Sequence, residues 1–211
     1  KDMDFQTMTI HGGVEGKNAN NALNPPIYQT STFVFDDLEH VEKVMSFESD
    51  DYVYTRGNNP KQRLFENRMT ELEKGNGAVA FSSGMAAISS VLFSLTKPGD
   101  NIILNKTLYG SSYNVATKLL PEYNVDFKIA DLSRAEVLND LIDENTKVIY
   151  FETPSNPNMM IIDIEKVVEI AHKKGVKVVV DNTFATPYFQ RPLTLGVDVV
   201  VHSATKYICG H

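Results

Sequence analysis

From residue 78 onward the sequence alternates short, continuously apolar runs with amphipathic stretches, and this alternation narrows the possible folds more than any other feature. The runs are AVAF, NIIL, VDFKI, KVIYF, KVVV and VDVVV. Most are separated by helical segments: MAAISSVLFSL, SRAEVLNDLID and DIEKVVEIAHKKG. In the last of these, Ile164, Val167, Val168 and Ala171 recur at i, i+3, i+4 and i+7, and Gly175 supplies a stop. Ser133 and Glu136 stand at capping-box spacing in the second. Strands apolar at every position are buried on both faces, and alternation with helices makes them mainly parallel. The predicted class is α/β, a mainly parallel sheet flanked by helices. Ligands then bind outside the carboxyl ends of the strands.

The first part of the chain reads differently. Residues 1–35 are rich in Asn, Gly and Thr, and the Pro25-Pro26 pair bars a helix there, so an extended arm is expected. A short helix follows in DDLEHVEKVMSF, with Leu38, Val41 and Val44 at helical spacing behind Asp36 and Asp37. After the loop YVYTRGNNP, Asn59 can cap a helix that Pro60 opens and Gly75 closes. The expected division is residues 1–47, arm and short helix, and 48–211, a large domain. The chain begins at Lys1 and stops at His211 just past a strand and turn, so a fragment is expected.

Composition excludes several classes. A net charge of -7 opposes nucleic acid as a partner, which requires a basic face. Cys209 is the single cysteine, which excludes an internal disulfide or a cysteine-based zinc site and fits a reducing cytoplasm. The five histidines show no metal-ligand spacing. No apolar run reaches the length of a membrane span, and no signal-peptide pattern opens the chain.

Polar residues gather where the strand rule places ligands. Ser82-Ser83-Gly84-Met85 follows AVAF and opens a helix, whose N–H groups suit a phosphate; a plain strand-to-helix turn is the alternative. Glu152 to Pro157, with Asn156, follow KVIYF, and Asp181 follows three valines. A carboxylate there needs a partner, either a cap, an ion pair or a buried cation such as a protonated pyridine. Lys206 follows VDVVV, at the end of a buried strand, flanked by Ser203 and Thr205, whose hydroxyls could hold phosphate oxygens. Desolvation would free its amine for Schiff-base chemistry; a solvated loop lysine is the alternative. Tyr54 and Arg56 stand two apart, on one side of an extended stretch, and could reach a phosphate. Tyr109 could stack on a flat cofactor or simply fill a loop.

Taken in order, YTRGNNP, FSSGMAAI, YFETPSNPN, VVVDNTFATPYFQRPL and SATKYICGH resemble the pyridoxal 5'-phosphate (PLP) enzymes of cysteine and methionine metabolism. This family includes cystathionine γ-synthase, cystathionine γ-lyase, methionine γ-lyase and the homoserine-ester sulfhydrylases. The resemblance implies the large domain of a type I PLP-dependent transferase, with residues 48–211 as its PLP-binding part. It implies Lys206 as the Schiff-base lysine and proton shuttle, and Asp181 as partner of the pyridinium nitrogen. Gly84 and Met85 N–H groups with Ser203 and Thr205 would hold the phosphate. Tyr54 and Arg56 would reach that phosphate from a neighbouring subunit, making a homodimer or homotetramer. Tyr109 would stack on the ring and assist proton transfer, and Asn156 would contact its phenolic-oxygen side.

The implied activity is γ-elimination on a sulfur amino acid, most closely that of methionine γ-lyase, giving methanethiol, 2-oxobutanoate and ammonia. Two departures bear on this. The family carries a C-terminal small domain with an arginine for the substrate carboxylate, beyond where this chain stops. Methionine γ-lyases also carry a cysteine soon after the stacking tyrosine, in LYGC, where this sequence has Ser111 in LYGSS. Cystathionine γ-lyase, or replacement chemistry as in cystathionine γ-synthase and O-acetylhomoserine sulfhydrylase, is the alternative within the family. An aminotransferase on the same fold, or a non-enzymatic Rossmann-like binding module, stands outside it.

Overall fold

A computed structural model describes residues 3–14 and 16–210. The chain divides into two compact units, residues 1–80 and 81–211. The division expected after residue 47 falls within the first unit, in the turn after its second helix.

In the first unit, the helices are α1 (Phe5–His11), α2 (Leu38–Met45) and α3 (Pro60–Glu73). α1 corrects the expectation of a wholly extended arm: Asp4 accepts from Thr7 N–H at 2.8 Å and caps a helix well before the Pro25-Pro26 pair. α2 starts where expected, with Asp37 capping at His40 N–H (2.8 Å). α3 also starts as expected, Asn59 accepting from Lys61 N–H at 2.9 Å with Pro60 in the first turn. Its end is corrected by one residue: Lys74, at φ 56°, takes the left-handed position expected of Gly75.

The second unit is built on five parallel strands: β1 (Asn101–Asn105), β2 (Asp126–Ala130), β3 (Thr146–Glu152), β4 (Lys177–Asp181) and β5 (Val199–Val201). Their order is β2-β1-β3-β4-β5. Helices α4 (Gly84–Leu95), α5 (Gly110–Asn114) and α6 (Ile164–Lys173) are among those that flank the sheet. The side-chain period of two sends alternate residues to opposite faces, each with its own core. Ile103, Ile149, Phe151, Val178 and Val180 pack with Val167, Val168 and Ala171 of α6. Ile102, Leu104, Val148, Tyr150 and Val179 pack with Ile88 and Leu92 of α4. Leu92 is fully buried, so truncation to alanine there removes about 2–5 kcal/mol.

Three expectations need correction here. AVAF (78–81) is not a strand: Ala80 N–H donates to the Glu66 carboxylate at 2.9 Å rather than to a neighbouring strand. β2, an edge strand, exposes part of its length, Ile129 included. In SRAEVLNDLID the helical part is only a short turn at Ala135–Val137 and another at Leu138–Leu141, and the Ser133 hydroxyl donates to Asp131 (2.6 Å) instead of capping.

Candidate active site

Parallel pairing brings the carboxyl ends of β3, β4 and β5 side by side. Glu152 is the register partner of Asp181, and Asp181 that of Val201. Beyond these ends lies a cavity of about 280 Å³, near the lower bound of small-molecule sites, about 300 Å³.

One wall is the start of α4. Ser83 caps this helix, accepting from Ala86 N–H at 3.1 Å. The first N–H groups of a helix lack partners within it and carry its positive end. Here those groups belong to Gly84 and Met85, both lining the cavity. A Cβ on Gly84 would lie 2.7 Å from Ser203 Cβ, so only glycine lets the helix start approach the turn after β5 this closely. That turn supplies Ser203, Thr205 and Lys206. Its path is fixed by Ser203 N–H donating to the Thr183 hydroxyl at 2.8 Å. Lys206 lies on an exposed turn, not at a buried strand end as expected; the strand stops at Val201.

The floor carries two buried carboxylates. Asp181 is 9% exposed and accepts from Thr183 N–H at 2.9 Å. Burial pushes its carboxyl above the ordinary range, against the pull of Thr183 and of His202. Glu152 is 5% exposed. Burial raises it to about 7, Tyr109 N–H pulling the other way and the charge of Asp181 adding to the rise. Tyr150, wholly buried on β3, has its phenol pushed well above the usual range by burial and by these two charges.

The structure thus brings together Gly84, Met85, Tyr109 and Asn156 with Asp181, Ser203, Thr205 and Lys206. Tyr54 and Arg56 belong to the first unit. There the Arg56 guanidinium carbon lies 4.9 Å over the Tyr54 ring, and Tyr54 forms an antiparallel bridge with Thr32. Glu152 is a strand-end carboxylate to which the sequence assigns no role. Its one signal is its position, the same as that of Asp181.

Residues 6–211 match the family described as Cys/Met metabolism PLP-dependent enzyme. The chain is 48% identical over 212 residues to an L-methionine gamma-lyase of Pseudomonas deceptionensis, covering 100% of this chain and 53% of that protein. It is 44% identical to a cystathionine gamma-lyase of Bacillus subtilis, covering 99% and 53%. A solved structure described as an O-acetylhomoserine (thiol)-lyase of Campylobacter jejuni, containing N'-pyridoxyl-lysine-5'-monophosphate, superimposes with a TM-score of 0.93 at 32% identity, covering 100% of this chain and 52% of that one. The chain spans about half the length of the curated relatives it matches.

Proposed function

The chain belongs to the Cys/Met metabolism PLP-dependent enzyme family, and from that premise we propose that the protein carries out γ-elimination on L-methionine, releasing methanethiol, 2-oxobutanoate and ammonia. The observation that carries this reading is the meeting of a helix start, a buried carboxylate and a lysine in one cavity at the strand ends.

The residues present fit pyridoxal phosphate. Gly84 keeps a cradle open that a Cβ would fill, and Asp181 is a buried carboxylate suited to a cation. Bound there, the cofactor supplies a conjugated ring that withdraws electrons from the substrate's α-carbon. Gly84 and Met85 N–H groups, with the Ser203 and Thr205 hydroxyls, hold the phosphate. Asp181 would hold positive charge at the ring nitrogen, and Asn156 would contact the phenolic-oxygen side. Lys206 Nζ would hold the cofactor covalently and, as a free amine, would accept the proton from the substrate's α-carbon. Tyr109 would stack on the ring, with its Oη available to donate a proton to the departing sulfur. Tyr54 and Arg56 from a second copy of the chain complete the phosphate site, so the working unit is a homodimer or homotetramer. Its place is the cytoplasm, in line with a single cysteine. No helix among the described residues is long and apolar enough to cross a membrane.

A visible absorbance band, bleached by borohydride and absent in Lys206→Ala, tests the cofactor assignment. A colourless wild-type protein sinks it. Release of 2-oxobutanoate from L-methionine, with methanethiol, supports the substrate assignment. Release from L-cystathionine alone moves the activity to cystathionine γ-lyase, the reading that Ser111 favours.

A further inference from the structure

We propose that Glu152 is a positioning residue that sets the place of the Tyr109 ring and hydroxyl relative to Asp181. The inference rests on the cofactor reading above and adds a residue to it. Glu152 Oε1 accepts from Tyr109 N–H at 2.6 Å, and Oε2 accepts from Asn156 N–H at 3.4 Å. One carboxylate at the end of β3 therefore ties down two loops, the one after β1 and the one after β3 itself. Tyr109 directly precedes α5 and has no side-chain cap of its own there. It is 46% exposed, so packing alone holds it weakly, and the backbone bond to Glu152 becomes the fixed point.

The ladder carries that fixed point to Asp181. Glu152 and Asp181 are register partners on neighbouring strands, and both line the cavity. The Tyr109 backbone, anchored to one, is thereby held at a set offset from the other, and the ring projects from that point. Keeping a second carboxylate beside Asp181 is unfavourable, because burial and like charge both disfavour it. Glutamine would spare that charge and still accept one N–H. The carboxylate accepts from two separate loops at once, and glutamine would keep the short bond to Tyr109 N–H and give up only the longer one to Asn156.

The test uses the cofactor-loaded protein and four forms: Glu152→Ala, Glu152→Gln, Tyr109→Phe, and Glu152→Ala combined with Tyr109→Phe. Glu152→Ala is expected to lower kcat by about 10-fold or more with KM little changed, since the backbone anchor is lost. Combined with Tyr109→Phe, the same change should cost clearly less than it does alone, because the hydroxyl is already gone and only the placement of the ring is left to lose. Glu152→Gln should recover most of kcat. The visible circular dichroism of the bound cofactor should change in Glu152→Ala and return towards wild type in Glu152→Gln. Equal losses in both Tyr109 backgrounds, or unchanged dichroism in Glu152→Ala, overturn the proposal. If Glu152→Ala does not fold, Glu152→Gln decides: loss of bound cofactor there makes Glu152 a cofactor-holding group instead and also overturns it. A wild-type protein without cofactor breaks the proposed function itself, a separate failure.

Discussion

The two edges of the parallel sheet treat their carboxylates in opposite ways. At the amino edge, Asp143 accepts from Lys128 (2.6 Å), Asn101 (2.9 Å) and Thr146 (3.0 Å). Lys128 and these hydrogen bonds hold it well below the usual carboxylate range. Asp198, just before β5, meets Lys177 (2.6 Å), Val178 N–H (2.9 Å) and His172 (2.8 Å). Burial alone would raise it, and these partners outweigh burial. At the carboxyl edge, Glu152 and Asp181 are more deeply buried, and burial raises both. Among the described residues, no lysine or arginine bonds to either of them. Carboxylates that serve only the fold are satisfied by the fold. The carboxyl-edge pair has no lysine or arginine partner of this kind among the described residues, and at Asp181 this fits the proposed receipt of a cofactor cation.

The largest effect expected from this contrast is at Asp181. Asp181→Asn keeps an acceptor for Thr183 N–H and removes the charge. Removing one partner of a buried ion pair costs about 3–5 kcal/mol, so cofactor affinity and turnover should fall at least about 100-fold. In the cofactor-free protein the same change should raise stability, because it removes a buried charge. Cofactor titration and denaturant unfolding check the two halves. Lower stability of the cofactor-free variant would break the comparison.

The second effect is a pH slope that the carboxyl edge contributes. The unfolded chain releases the Glu152 proton near 4.5, while the folded protein keeps it to about 7. Between these values the folded state binds more protons, so the contribution of Glu152 to stability falls as pH rises. The drop is at most about 3.5 kcal/mol, since each tenfold difference in proton affinity is worth about 1.4 kcal/mol. At the amino edge the sign reverses: Asp143 and Asp198, both lowered, contribute stability above about 3.8 that is lost as pH falls through their folded values. Unfolding of the cofactor-free protein at pH 5 and pH 8 reads the difference. Glu152→Gln should remove most of the drop, and an identical drop in that variant would refute the assignment.

The sheet is legible in the sequence because a strand buried on both faces is apolar throughout, as in β3 and β4. Asp181 is legible for the same reason, since a carboxylate after three valines is conspicuous. Pairing is not local. AVAF has the composition of a strand, yet its Ala80 N–H goes to Glu66, fourteen residues away, and no local pattern announces that. The Tyr109–Glu152 bond spans 43 residues and joins two strands made adjacent only by the sheet. The exposure of Lys206 is hidden in the same way: the apolar run before it ends at Val201, and a turn carries the lysine back to solvent.

The smallest effect lies at Asp198, on the edge away from the cavity. Its side chain is 16% exposed, and its charge-assisted hydrogen bonds fix the start of β4. Asp198→Ala leaves Val178 N–H without this acceptor and should cost about 2 kcal/mol, with kcat and KM unchanged. Asp198→Asn keeps one acceptor and should cost less, screened by salt where Lys177 is exposed. The same replacement of aspartate by asparagine thus lowers stability at one edge and raises it at the other in the cofactor-free protein. Denaturant midpoints for Asp198→Asn and Asp181→Asn measure this directly. Shifts of equal sign would mean that the fold, and not the receipt of a cation, accounts for both edges.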